Sequence, residues 1–156
     1  MHRYEARIAW QRDGAIFSGN RYSRVHEWSF DGGAKVVASA SPSVVPPPYS
    51  AAEAVDPEEA LVASASSCHM LWFLSIASKR GFVVESYVDE AFGVMEKNSE
   101  GKLVISRITL RPRTQFSGDK LPSASELQSL HHSAHDECFI ANSLKSEVWS
   151  RPDSSG

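Results

Sequence analysis

Cysteine is scarce in this chain of 156 residues: only Cys68 and Cys138 occur, seventy positions apart. Two thiols so widely spaced argue against a disulfide scaffold and better suit a reactive or metal-binding pair. An excess of charge is missing as well. Lys and Arg total 16 against 19 Asp and Glu, and the net charge is −3. The two signs are interspersed, so no basic face is offered to nucleic acid and no polybasic arm to a membrane surface. The opening stretch MHRYEARIAW lacks the apolar segment of an export signal, and no apolar run approaches bilayer-spanning length. Repeats and low-complexity tracts are also lacking. A cytoplasmic globular protein without nucleic-acid or membrane partners is the expectation.

What is present reads as alternating strands and three helical stretches. YEARIAW and RYSRVHEWSF alternate with strand period, and DGG turns the chain into AKVVASA, which predicts a three-stranded meander. SPSVVPPPYSAAEAV follows as a stiff, extended connection, because three consecutive prolines fit neither a helix interior nor a central strand. SYVDEAFGVMEK and KLVISRITLRPRTQF flank NSEG as two long hairpin strands. PSASELQSLHHSAHDE predicts a helix capped by Ser125 or Ser123, CFIANSLK a short helix and SEVWS a last strand. The order βββ-α-ββ-α-α-β argues for an α+β fold, antiparallel sheet packed over a central helix, as one domain over residues 1–150. Residues 151–156 read as a flexible polar tail.

The central helix carries the clearest signals. Asp56 suits the N-cap, Pro57 the first helical position and Glu59 the capping box, while Gly81 after Lys79 and Arg80 ends the helix. Leu61, Ala65, Cys68, Trp72 and Ile76 recur at helical spacing, an apolar stripe that points Cys68 into packing. Ala60, Ala63, Ser64 and Ser67 make a second, small-residue side that a neighbouring helix could approach closely. Adjacency to His69 does not by itself make a dyad with Cys68, since successive helical side chains point about a hundred degrees apart.

DPEEALVASASSC resembles the central-helix signature of the OsmC/Ohr family (osmotically inducible protein C and organic hydroperoxide resistance proteins), with ten residues from Glu58 to Cys68. ECFIANSLKSEV is similar to the family's second-cysteine segment, and the element order agrees along nearly the whole chain. Phe139 stands where a proline commonly follows the second cysteine, and His69 where an aromatic commonly follows the first. The resemblance implies an intertwined homodimer that reduces organic hydroperoxides through Cys68 and a resolving Cys138. It implies no bound cofactor, with an external dithiol such as dihydrolipoamide as reductant. It also implies an N-terminal arginine that orients the thiolate, for which Arg24 is the candidate and Arg21 its neighbour, with Glu58 holding Arg24.

Ten helical residues span about 15 Å, so Glu58 and Cys68 cannot touch within one helix. A partner helix packed on the small-residue side would bring one subunit's Glu58 toward the other's Cys68. An apolar approach lined by Met70, Trp72, Phe73 and Phe139 would favour bulky hydroperoxides over hydrogen peroxide. The alternative of another class is zinc binding: HHSAHDEC sets His131 and His135 one helical turn apart with Cys138 three residues later, all acceptable zinc ligands. A non-catalytic small-molecule binding protein on the same fold is the third reading.

Overall fold

The computed structural model of the chain describes residues 1–152. They form two compact units that divide after Ala60. In the first, β1 (Ala6–Ala9), β2 (His26–Phe30) and β3 (Lys35–Ala38) make the antiparallel meander, with Ile8 opposite Trp28 and Trp28 opposite Val36. The DGG turn closes because Gly33 takes φ +87°, a conformation that strains any side chain, while Asp31 Oδ1 accepts the Gly32 N–H at 2.8 Å. β2 is shorter than the run RYSRVHEWSF predicts. Residues 21–25 leave the sheet because Tyr22 stacks on Phe17 at 4.6 Å and the Arg24 N–H donates to the Tyr49 carbonyl at 2.8 Å. The proline-rich run holds no regular element. It is tied back at its ends, where the Ser39 N–H donates to Val55 O and the Ser39 hydroxyl accepts from Ala51 N–H, both at 3.0 Å.

Helix α1 (Pro57–Lys79) begins as its sequence demands: Asp56 Oδ1 accepts from Glu59 N–H at 2.7 Å and Glu59 Oε2 from Asp56 N–H at 3.2 Å. It stops at Gly81, φ +80°, where Phe82 N–H reaches Ala77 O and Gly81 N–H reaches Ser78 O, both at 3.0 Å, the paired bonds of a Schellman ending. Over its most apolar 18 residues α1 has a mean hydropathy of 1.5, long and apolar enough to cross a bilayer, which corrects the expectation that no run approaches this. The fully buried residues of α1 are Ala65, His69, Phe73 and Ala77, which share Ala65 with the predicted stripe and then run one position on, while Leu61, Trp72 and Ile76 pack at the edge of the core and Cys68 is only half-buried. The stripe was misplaced because apolar residues surround the helix, so periodicity alone could not choose its inward side.

In the second unit each long predicted strand is divided in two. β4 (Val83–Asp89) pairs with β7 (Pro112–Ser117), and β5 (Phe92–Lys97) with β6 (Leu103–Leu110). The hairpin therefore contributes to two sheets. The break is held at Arg111, whose N–H donates to Asp89 Oδ1 at 2.6 Å and whose guanidinium donates to the Glu90 carbonyl at 3.0 and 3.1 Å. Ser66 on α1 donates its hydroxyl to the other oxygen of Asp89.

α2 (Ala124–Glu137) is capped by Ser123 through a reciprocal capping box with Glu126, and α3 (Phe139–Ser143) follows directly. The last strand, β8 (Glu147–Ser150), joins β6 in parallel, because the α2–α3 crossover returns the chain in the direction of β6. This departs from the all-antiparallel expectation. Arg151 prolongs the ladder by donating its N–H to Leu110 O at 2.8 Å, and residues 153–156 of the expected tail lie outside the described residues.

Two packed clusters hold this unit: Phe73, Ala77, Phe82, Leu130 and Ala134 between α1 and α2, and Ala65, Ile108, Leu110 and Val148 where α1 lies on β6 and β8. Gly93 on β5 lets α1 approach, since a Cβ there would stand 2.9 Å from Val62 Cγ2 and 3.3 Å from Ile105 Cγ2. Both neighbours are stiff, β-branched side chains. Gly93→Ala should therefore destabilise the protein by about 1–3 kcal/mol, seen as a lower urea midpoint.

Candidate functional site

The two cysteines meet although seventy residues separate them. Cys68 sits in the middle of α1, and Cys138 occupies the joint between α2 and α3 as C-cap of one and N-cap of the other. Its Sγ accepts the Ala141 N–H at 3.4 Å, so the thiol fills the role usually taken by a serine or aspartate. Both are free thiols, Cys68 half-buried and Cys138 buried. Burial raises the pKa of Cys138, the proximity of Cys68 raises it further, and it is pushed up to about 11 against bonds from Ala141 and Ile140 that lower it. Cys138 is accordingly a protonated thiol at neutral pH.

Around the pair, Trp72 and Phe139 meet edge to face at 5.4 Å. Trp72 is half-buried and Phe139 is 66% exposed, so these two form an apolar surface beside the thiols. Phe73 does not join them. It is fully buried and lies against Tyr87, Phe116 and His131 in the core.

Arg24 precedes β2 in the N-terminal unit. Its guanidinium lies 3.8 Å over the Tyr22 ring and donates to the Asn20 and Tyr22 carbonyls. Arg21 is exposed. Glu58 stands in the first turn of α1, half-buried, with Oε2 lacking any hydrogen-bond partner. Among the described residues no hydrogen bond or ion pair joins Arg24 to Glu58. An apolar hollow of about 470 Å³ in the same unit is lined by Ile8, Trp10, Phe17, Tyr22 and Arg24.

The alternative zinc set does not assemble. His131 turns its Nδ1 to His69 Nε2 at 3.1 Å, Cys138 faces Cys68, and among the described residues no three Cys, His, Asp or Glu side chains stand in position to hold a metal ion. The i,i+4 pattern failed as a metal signal because His131 points into the core rather than along the solvent face.

That buried imidazole pair is the feature that sequence reasoning missed. His69 and His131 are 1% and 3% exposed, and their rings stack at 5.4 Å with an interplanar angle of 7°. Burial lowers the pKa of each to about 4, with repulsion from His131 and His135 a further cause for His69. Both are neutral at physiological pH. The signals were present, His69 inside an apolar helix and His131 on an inward position of α2, yet the contact spans 62 residues and no local pattern encodes it.

This order of strands and helices, with one thiol in the middle of a long helix against a second thiol at the junction of two shorter helices, defines a class of two-cysteine α+β proteins. The chain belongs to the OsmC-like protein family, whose model matches residues 50–151. An OsmC-like protein of unknown function from Vibrio cholerae is 51% identical and superposes with a TM-score of 0.96, over 98% of this chain and all of that one. An organic hydroperoxide resistance protein from Bacillus subtilis shares the fold at 15% identity, with a TM-score of 0.67 over 97% and 98% of the two chains. One from Elizabethkingia anophelis does so at 14% identity, with a TM-score of 0.69 over 97% and 94%. No curated protein matches the chain.

Proposed function

We propose that this protein is a cytoplasmic, thiol-dependent reductase of organic hydroperoxides that works as an intertwined homodimer. The observation that carries this reading is the apposition of Cys68 and Cys138 on separate elements in one apolar setting. The Cys68 thiolate attacks the distal peroxide oxygen, the O–O bond breaks, and the alkoxide leaves as alcohol after taking a proton. Cys68 becomes a sulfenic acid. Cys138 then attacks that sulfur, its thiol proton leaves with the hydroxyl as water, and a disulfide forms. An external dithiol, for which dihydrolipoamide is a suitable type, reduces the bridge and is itself oxidised to a disulfide.

A guanidinium beside the sulfur favours the thiolate against an apolar setting. Arg24 is the residue we assign to that role and Glu58 the acid that holds it. The unpartnered Glu58 Oε2 supports this, since a buried carboxylate oxygen is costly without a donor. The dimer is supported by the exposed face of α1, where Ala63, Ser64 and Ser67 are followed by Leu71 at 60% exposure. The apolar hollow beside Arg24 and the Trp72–Phe139 surface suit an alkyl or aryl hydroperoxide better than hydrogen peroxide.

The test is to add a slight excess of cumene hydroperoxide to the reduced protein and count free thiols. Loss of both thiols per chain, faster than with hydrogen peroxide, is the expected result. Unchanged thiols would remove the peroxidase reading.

A further inference from the structure

A disulfide between Cys68 and Cys138 has to be reached by its reductant, and the second unit offers an open route. A groove of about 500 Å³ runs between α1 and α2. Trp72, Ile76, Lys79 and Arg80 form its α1 wall, and Asp136 and Glu137 stand on its α2 wall. Cys68, Trp72, Ile76 and Lys79 occupy positions i, i+4, i+8 and i+11, so they follow one side of α1 and the groove continues the line of the thiol. On α2, Glu137 immediately precedes Cys138. Both walls therefore lead to the cysteine pair. The helices are pinned at each end of the groove. At one end the thiols meet, and at the other Arg80 donates from Nη1 to the Ser129 hydroxyl and from Nη2 to the Ser133 hydroxyl, both at 2.9 Å.

The lining changes character along its length, and that selects the ligand. Nearest the thiols stand Trp72 and Ile76, half-buried apolar side chains that suit an aliphatic chain. Lys79 follows about 16 Å along the axis from Cys68, with Arg80 beside it. Lys79 is exposed, and helical side chains lean toward the N-terminus, which carries its ammonium group back along the groove. Arg80 gives both Nη groups to neutral hydroxyls, so its charge is not offset by an acid. Among the described residues neither cation forms an ion pair. The acids lie elsewhere: Glu137 adjoins Cys138, and Asp136 is paired with His132 at 3.4 Å. An anionic group is thus received at the Lys79–Arg80 end and repelled at the thiol end.

We propose, resting on the two-cysteine reading above, that this groove binds the reductant, and that the reductant is a dithiol on an aliphatic chain ending in a carboxylate. Its chain lies against Trp72 and Ile76 and its carboxylate meets Lys79 and Arg80. One thiolate of the reductant attacks the sulfur of Cys68, which is half-buried and so more accessible than buried Cys138. The S–S bond breaks, Cys138 leaves, and a mixed disulfide stays on Cys68. The second thiol of the reductant then displaces Cys68. The reductant ends as a cyclic disulfide, and each cysteine takes the proton that an attacking thiol gave up, two electrons having passed to the protein.

Bridging the full-length protein with diamide, in the absence of peroxide, keeps this test apart from that of the peroxidase reading, which thiol loss to cumene hydroperoxide decides. Re-reduction is then timed with dihydrolipoate and with dihydrolipoamide, the same dithiol ending in an uncharged amide, by acid quench, alkylation and intact mass. Dihydrolipoate should reduce the bridge up to about fivefold faster at low ionic strength, the worth of an exposed ion pair, and molar salt should shrink the advantage. Lys79→Glu should remove the advantage while dihydrolipoamide stays within about twofold of its wild-type rate, so the amide reports on the fold of the variant. Equal rates with the two dithiols in the wild type, an advantage retained by Lys79→Glu, or failure of diamide to form the bridge would each overturn the proposal. So would a faster amide, which would point to an arm carried by another protein.

Discussion

Cys68→Ser should reduce peroxide consumption to the uncatalysed level, whereas Cys138→Ser should complete one turnover and stop. The asymmetry follows from the two environments. Cys138 is held near pKa 11, first by burial and then by Cys68, so at pH 7 only about one molecule in ten thousand carries its thiolate. In the proposed reaction Cys68, half-buried on α1, is therefore the thiol assigned as nucleophile. Part of what raises the Cys138 pKa, after burial, comes from Cys68 itself, so the two thiols are near enough to interact. In Cys138→Ser the sulfenic acid should persist and react with dimedone at Cys68, which mass spectrometry of the peptide reads directly. Dimedone on Cys138 in the reciprocal variant, or turnover retained by Cys68→Ser, would reverse the roles.

Folding stability should fall steeply as the pH drops from 7 to 5. His69 and His131 have folded-state pKa values lowered from 6.5 to about 4 by burial. Between those values the unfolded chain binds protons that the folded chain refuses, so stability rises with pH across this window and is fully present above pH 6.5. At pH 5 the loss is about 2 kcal/mol per histidine, from 1.5 units of unmatched protonation at 1.36 kcal/mol each. Urea midpoints at pH 7 and pH 5 measure it, and His131→Leu should flatten the dependence by about half. A midpoint unchanged over the same range would mean that the imidazoles accept protons in the folded state.

Much of the architecture is legible locally, and the reasons are particular. Asp56 with Glu59, Gly81 at positive φ, Ser123 with Glu126, and the DGG turn each form a bond or a backbone conformation within a few residues, so their spacing in the chain is their geometry in space. The pairing of Glu58, Cys68 and Cys138 with a known family pattern was likewise readable, and family membership is now plain. The division of the long hairpin was not. It depends on Asp89 receiving the Arg111 N–H and the Ser66 hydroxyl from 22 and 23 residues away, which no strand periodicity records.

By itself, then, the sequence determined where the helices begin and end, that the fold is α+β, and that two thiols are the residues to watch. Tertiary structure alone decided that β8 runs parallel to β6, that α1 fully buries His69, Phe73 and Ala77 rather than Cys68, Trp72 and Ile76, and that His131 pairs with His69 instead of completing a zinc set. The physical reason is the range of the interactions. Caps and turns are closed by neighbours along the chain, whereas on a helix apolar nearly all round the inward face is chosen by whichever strands and helices pack against it.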